Sequence, residues 1–192
     1  KQSGIIRAES VNELFDFAHA FAYKQESPLG KMRRKLPSGK RVAIVTNAGG
    51  PGILATDMTV SADLELARFS EETIEKLAMA LPSTANLRNP VDVIGDATQD
   101  RYENALWAVI QDPGVDGALV ILTPQSMTNA LGTAEAIVRV ARGTPKPIIC
   151  CFMGVVDVSP GVRYLQKHGY PVYQFPENAA KAMGALYRYA GW

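Results

Sequence analysis

Thr46-Asn47-Ala48-Gly49-Gly50-Pro51-Gly52 carries the clearest chemical signal in this sequence. The segment follows an apolar run, Val42-Ala43-Ile44-Val45, and leads into residues with helical spacing. Three glycines let a backbone come close to an anion, because no Cβ stands in the way. Pro51 suits the first turn of a helix, where its missing N–H is not needed. The free N–H groups of such a turn and the positive end of the helix dipole both favour a phosphate. Asn47, Gly49, Gly50 and Gly52 are therefore the candidate phosphate-binding residues. The plain alternative is a tight strand-to-helix turn with no ligand. The turn is not G-x-G-x-x-G and has no Walker lysine, so nucleotide binding by either of those routes is not supported.

Three further loops hold groups with chemistry. Asn89-Pro90-Val91-Asp92-Val93-Ile94-Gly95-Asp96-Ala97 contains two acids, Asp92 and Asp96. Paired carboxylates can exchange protons or hold Mg²⁺, and they can equally cap helices. Asp96, two residues before Thr98, reads as a cap. Thr123-Pro124-Gln125-Ser126-Met127-Thr128 has hydroxyls and an amide but no nucleophile with a base, and Phe152-Met153-Gly154-Val155 puts a glycine at a strand end. Thr46, Asn89, Asp92, Thr123 and Gly154 are the candidate pocket-lining residues. His19 and His168 have no acid or thiol near them in sequence. Cys150 and Cys151 are adjacent on an apolar strand, so their thiols point to opposite faces, are not placed to bond each other, and suit a reducing cytoplasm. Two His and two Cys without ligand-like spacing predict no metal centre.

The elements that must position these loops alternate. Apolar strands are expected over residues 42–46, 64–67, 117–122, 147–152 and 171–174. Helices are expected between and after them: from the glycine turn to about Ala62, from Ser70 to Pro82, over residues 98–111 and 129–142, up to His168, and from Pro176 to about Tyr189. Asn89 to Val93 reads as an extended piece, as residues before proline prefer. This alternation predicts an α/β, flavodoxin-like, three-layer fold with a five-stranded parallel sheet in the order 2-1-3-4-5. All four loops then fall at the carboxyl ends of the strands, where such sheets bind ligands.

Ahead of that unit, Ser10-Val11-Asn12-Glu13 is a capping box that starts a helix running to about Tyr23, with Val11, Leu14, Phe15, Ala18 and Ala22 along one apolar face. That face has to pack on something, and residues 1–24 read as the helical tail of a preceding domain. Residues 25–40, with Pro28, Gly30, Pro37, Gly39 and the basic cluster Lys31, Arg33, Arg34, Lys35 and Lys40, read as a solvated linker to the unit at 41–192. Over all 192 residues, 47% are hydrophobic, 20% are charged, and the net charge is +1. That near balance argues against nucleic acid or a membrane surface as the main partner. No leader resembling a signal peptide and no apolar run of membrane-spanning length stand out.

Several of these stretches, in register, resemble the NDP-forming acyl-CoA synthetases, which include ADP-forming acetyl-CoA synthetase and are related to succinyl-CoA synthetase. They are the run from Gly39 to Gly52 with Ala55-Thr56-Asp57; Asn89-Pro90-Val91-Asp92-Val93 with Gly95-Asp96-Ala97; Val120 to Gln125; Phe152-Met153-Gly154; and Pro171-Val172 with Phe175-Pro176-Glu177. The likeness covers residues 40–190 and, more weakly, Gly4 to Ala18. It implies a ligase that couples acyl-CoA, ADP and phosphate to acid, ATP and CoA through an acyl phosphate and a phosphohistidine. It also implies partner modules: a CoA-binding domain, a histidine-bearing ligase domain, and an ATP-grasp module that holds nucleotide and Mg²⁺. A homo-oligomer stays open. In that family two helix N-termini shelter the phosphohistidine, and the turn at Gly49–Gly52 resembles the second. The active histidine belongs to a Ser-Ser-His-Thr-Gly-like stretch upstream of the segment resembling Gly4-Ile5-Ile6, and His19 does not match it. The expectation is therefore a half-site, with CoA and ATP sites elsewhere and no catalysis by this chain alone. Two other readings remain: a regulatory domain of a protein lysine acetyltransferase that carries acyl-CoA-synthetase-like domains, and a flavodoxin-like ligand-binding module. A receiver-type module needs an acidic cluster where Thr46-Asn47 stand.

Overall fold

The computed structural model describes residues 5–26, 32–154 and 158–192. Gly4, Pro28, Gly30, Lys31 and Val155, all used in the reading above, lie outside the described residues. In chain order the elements are α1 (Val11–Ala22), β1 (Gln25–Glu26), β2 (Met32–Arg33), β3 (Arg41–Thr46), α2 (Gly49–Ser61), β4 (Glu65–Leu66), α3 (Glu71–Ala80), β5 (Val91–Asp92), α4 (Gln99–Gln111), β6 (Gly117–Leu122), α5 (Ala130–Arg142), β7 (Ile148–Phe152), α6 (Ser159–Lys167), β8 (Val172–Tyr173) and α7 (Pro176–Ala190).

Runs of Val, Ile, Leu and Ala give β3, β6 and β7 no polar face, and they form the middle of a parallel sheet ordered β4-β3-β6-β7-β8. Counting only those five strands, the order is the expected 2-1-3-4-5. The sheet nevertheless has six strands rather than five, because β5 also pairs with β3. The reason lies on one edge of β3. β4 is short and pairs only with Arg41 and Val42, while β5 pairs with Val45 and Thr46. The side chain of Asn89 fills the gap between them: its Oδ1 accepts from Ile44 N at 2.9 Å, and its Nδ2 donates to Val42 O at 2.8 Å and Ala67 O at 3.1 Å. One amide thus stands in for a missing piece of strand.

Alternation along the strands builds two cores. Ala43, Val45, Val120, Leu122, Cys150 and Phe152 face α3 to α6, and Val42, Ile44, Leu119, Ile121 and Cys151 face α2 and α7. The two thiols point to opposite faces, as their adjacency requires. α7 lies close on α2: a Cβ on Gly184 would come within 2.8 Å of Ala62 O.

The capping box at α1 forms in modified style. Ser10 Oγ accepts from Glu13 N at 3.1 Å, but the Glu13 carboxylate bonds Glu9 N at 2.9 Å rather than Ser10 N. The apolar face expected to pack does not pack within this chain. Val11, Leu14 and Phe15 are 67%, 58% and 68% exposed, while Phe17 and Ala20 are buried. Polar partners decide the rotation. Lys181 meets Glu13 at 2.8 Å, the Tyr173 hydroxyl donates to Asp16 O at 2.7 Å, and Asn178 donates to the Asp16 carboxylate.

Part of the basic cluster bonds to the rest of the chain. Arg34 donates to Phe21 O at 2.6 Å, the buried Lys35 donates to Ala141 O at 2.5 Å, and Lys40 pairs with Glu65 at 2.7 Å. Arg34 and Lys35 thus cap carbonyls at the ends of α1 and α5, Lys35 from a buried position and Arg34 from an exposed one.

Asn89→Ala removes three hydrogen bonds and leaves Ile44 N without its acceptor. The expected loss is about 1–3 kcal/mol, because an unsatisfied backbone group costs more than the net worth of one bond. Urea unfolding should show a lower midpoint with an unchanged slope; an unchanged midpoint would contradict the bridging role.

Candidate functional site

β3 ends where its last residue begins to bond locally. The Thr46 hydroxyl donates to Ala48 O at 2.9 Å and accepts from Ala48 N at 3.1 Å, which folds the turn tightly. Asn47 is buried, and its side chain reaches across to the end of β6. Its Nδ2 donates to Thr123 O at 2.8 Å, and its Oδ1 accepts from Thr123 N at 2.9 Å and Thr123 Oγ1 at 3.0 Å. The Asn47 amide is therefore committed to holding the loop after β6, not to a ligand. Gly95 sits against both loops: a Cβ there would lie 3.8 Å from Gln125 Cγ and 3.9 Å from Asn47 O. The loops after β3, β5 and β6 thus meet at one rim.

At that rim α2 starts without a side-chain cap, on the extended residue Ala48. After the Ala48 amide, the helix ladder of α2 opens with Gly52 N, which donates to Ala48 O at 3.2 Å. Gly49 and Gly50 are exposed, and Pro51 has no N–H to satisfy. The three glycines serve different ends. A Cβ on Gly52 would lie 3.0 Å from Thr46 Cγ2, so packing explains that glycine. A Cβ on Gly50 would meet nothing within 4 Å. Nothing in the chain's own packing requires Gly50 to be bare.

Asp92 stands at the same opening. Its Oδ1 accepts from Ile94 N at 2.9 Å, and its Oδ2 lies 3.9 Å from where a Gly49 side chain would begin. Ile94 holds φ +69°, a left-handed conformation costly for a β-branched residue. Asp96 instead pairs with Arg101 at 2.5 Å, in keeping with a local structural role.

The other candidates lie elsewhere or are inert. Asn89 faces the sheet edge, where it bridges β3, and lines a separate cleft with Leu66 and Phe69. Gly154, at φ +102°, packs against Pro124, its would-be Cβ 3.3 Å from Pro124 Cγ. Burial pushes both thiols up, Cys151 to about 12, so neither is a nucleophile. His168 caps α6, with Nδ1 2.8 Å from Tyr164 O. His19 lies between α1 and β8, and its Nε2 accepts from Val172 N at 3.3 Å. Among the described residues no three His, Cys, Asp or Glu side chains could hold a metal ion, and no helix is long and apolar enough to cross a membrane.

Sequence reasoning missed the Asn47–Thr123 clamp, which joins residues 76 apart and leaves no local signal. It also missed Gln125, whose Nε2 reaches Thr123 Oγ1 at 3.4 Å beside the rim.

The Ligase-CoA domain model matches residues 42–191. An ADP-forming acetate–CoA ligase I of Archaeoglobus fulgidus is 38% identical over 190 residues, which cover 99% of this chain and 25% of that protein. The alpha subunit of ADP-forming acetate–CoA ligase II of Pyrococcus furiosus is 36% identical, covering 99% of this chain and 40% of the subunit. A solved structure of acetyl-coenzyme A synthetase 1 from Ca. Korarchaeum cryptofilum, in complex with phosphate and ADP, superposes with a TM-score of 0.86 at 32% identity, covering 99% of this chain and 39% of its own. These matches bear out the resemblance to NDP-forming acyl-CoA synthetases. The chain spans between a quarter and two fifths of the length of these proteins.

Burial pulls the His19 imidazole below its ordinary pKa, so the folded protein holds it neutral, as an acceptor for Val172 N–H. Below about pH 6.5 the unfolded chain then binds more protons than the folded one. This contribution to stability is complete above that pH and is lost as pH falls through the depressed folded value. Glu13, also lowered, acts only in the more acidic carboxylate range. Stability should therefore fall between pH 7.5 and 5.5, and His19→Gln should flatten that slope in denaturant titrations; an equal slope in the variant would refute the assignment.

Proposed function

The chain belongs to the Ligase-CoA domain family, and from that premise we propose that it works as one module of an ADP-forming acyl-CoA ligase. In this reading the whole enzyme converts acyl-CoA, ADP and phosphate into acid, ATP and CoA through an acyl phosphate and a phosphohistidine. The module supplies the start of α2 as a shelter for the phosphoryl group while a histidine of a partner module carries it. The observation that carries this reading is Gly50, exposed, bare and unneeded by packing, at an uncapped helix start on the carboxyl rim.

The chain's own residues would act as follows. The N–H groups of Gly49 and Gly50 donate to phosphoryl oxygens, and the dipole of the thirteen-residue α2 adds a fixed positive pole. The Asn47–Thr123 clamp holds the turn so that these donors need not reorganise during transfer. Asp92 sets a limit. The helix pole amounts to about half a charge, less than the full carboxylate beside it. A free phosphate dianion is thus poorly favoured here, whereas a phosphorylated imidazole offers a ring N–H to the Asp92 oxygen while its phosphoryl group meets the amides. The nucleotide, Mg²⁺ and CoA belong to the ATP-grasp and CoA-binding modules in this reading. The free, buried thiols suit a reducing cytoplasm.

The open stripe Val11, Leu14 and Phe15 fits the same picture. In our reading α1 is the tail of the histidine-bearing module, and the stripe is the seam against it. Phe15→Glu should leave the fold of the 192-residue chain unchanged and weaken cohesion of the full enzyme, read as increased proteolysis between the modules.

The decisive substitution is Gly50→Val in the full enzyme. The space around Gly50 predicts a stability change below about 0.5 kcal/mol, while the side chain covers the amides. Phosphohistidine formation and decay, followed with radiolabelled phosphate in single turnovers, should slow by roughly ten- to a hundred-fold, somewhat less than the loss of an oxyanion donor at its strongest. Gly50→Ala should fall in between. Unchanged rates in both variants would remove the role of α2.

A further inference from the structure

β4 is the outermost strand on its side of the sheet. Glu65 N and Ala67 N donate inward, to Lys40 O at 2.7 Å and Val42 O at 2.9 Å. By strand alternation, the N–H and C=O of Leu66 between them point away from the sheet. Beside this free edge lies an open cleft of about 660 Å³. Leu66, Phe69 and Ile74 give it apolar walls, and Arg68 and Arg88 stand at its margin. The Asn89 amide behind it is fully used on β3 and Ala67, so it closes the cleft without offering a donor.

The two arginines differ from those held by carboxylates. Arg41, Arg101 and Arg139 each pair with a carboxylate. Among the described residues Arg68 and Arg88 make no ion pair, and both are exposed. Edge strands are usually protected by their own charges or by a cover. Here unpaired cations flank an apolar cleft beside open main-chain groups, a combination suited to an added strand with acidic side chains. The relatives carry much more chain than this module, since it covers only 25% and 40% of two of them.

We propose that the β4 edge takes up an extended segment of alternating apolar and acidic residues from a partner module, paired along Leu66, with its carboxylates on Arg68 and Arg88. Main-chain pairing fixes the segment, the apolar residues fill the cleft, and the two arginines select acidic over neutral sequences. This docking does not depend on the phosphate reading of the rim, because neither Gly49 nor Gly50 lines the cleft.

The test uses the blocked pentapeptide acetyl-Glu-Val-Asp-Val-Glu-amide, titrated into the isotopically labelled chain. Amide signals of Leu66, Arg68 and Phe69 should shift, with those of Gly49 and Gly50 unmoved. The double variant Arg68→Glu, Arg88→Glu should weaken binding at least ten-fold. N-methylation of the central peptide residue should abolish it, because it removes a main-chain donor without changing charge. Equal binding of the Gln-Val-Asn-Val-Gln analogue would overturn the acidic selection. Shifts produced by inorganic pyrophosphate but not by the peptide would make the cleft a small-anion site instead. Absence of any shift with the peptide at millimolar concentration would end the proposal.

Discussion

The three hydrogen bonds between the Asn47 side chain and Thr123 decide where β3 stops and α2 starts. A buried amide is costly unless its donors and acceptors are met. Asn47 meets that demand with backbone and hydroxyl groups of the neighbouring strand end, so it locks two loops at once. Thr46 then closes the turn by bonding Ala48 in both directions. With both residues committed inward, neither is left to cap the helix, and Gly49 and Gly50 stay exposed at its start. The openness of the rim follows from the same bonds that stabilise it.

A missing cap alone would not single out α2. α4, α6 and α7 also start without a side-chain cap, and α6 and α7 place proline in their first turn. The separating observation is steric. Gly52 is bare because Thr46 and Pro90 leave no room, whereas Gly50 is bare with nothing within 4 Å. A glycine in a helix costs roughly 1 kcal/mol relative to alanine. Packing gives nothing back for that loss at Gly50, and the proposed role of α2 rests on that difference from Gly52.

Much of this arrangement could be read from sequence, and the parts that could not share a cause. β3, β6 and β7 are continuous apolar runs bounded by glycine, proline or charge, so local composition defines them, and with them the strand order. The Ser caps of α1 and α3 form as their spacing predicts. What local sequence did not show depended on distant partners. β5 counts as a strand only because β4 turns away after Leu66 and leaves the end of β3 unpaired. Asn89 is expected from sequence to line a pocket at the strand ends; it lines a cleft at the sheet edge instead, held there by backbone groups up to 47 residues away. The apolar stripe of α1 suggested a buried face, but Lys181, Asn178 and Tyr173 at the far end of the chain attract the opposite one. The basic cluster looked like a hydrated tether, yet the carbonyl that holds Lys35 is over a hundred residues distant.

The two ends of the sheet are treated differently, and that asymmetry bears on direction of use. At the amino ends of the strands, lysines close the helix C-termini: Lys35 bonds Ala141 O at 2.5 Å, and Lys146 bonds Ile110 O and Asp112 O, each at 2.7 Å. Burial lowers the pKa of Lys146, a measure of how far it has left water to reach those carbonyls. Arg41 and Asp116 add a bonded pair, at 2.8 Å, on the same side. That end is saturated internally, and a partner would have to break existing bonds to use it. At the carboxyl ends the loops bond mainly to one another and leave donors facing outward. In the role proposed above, the partner that carries the phosphoryl group comes to the open end, where no existing bond has to break first. Asp92 then sets the terms of that meeting, because its carboxylate opposes an anion that arrives without a hydrogen-bond donor of its own.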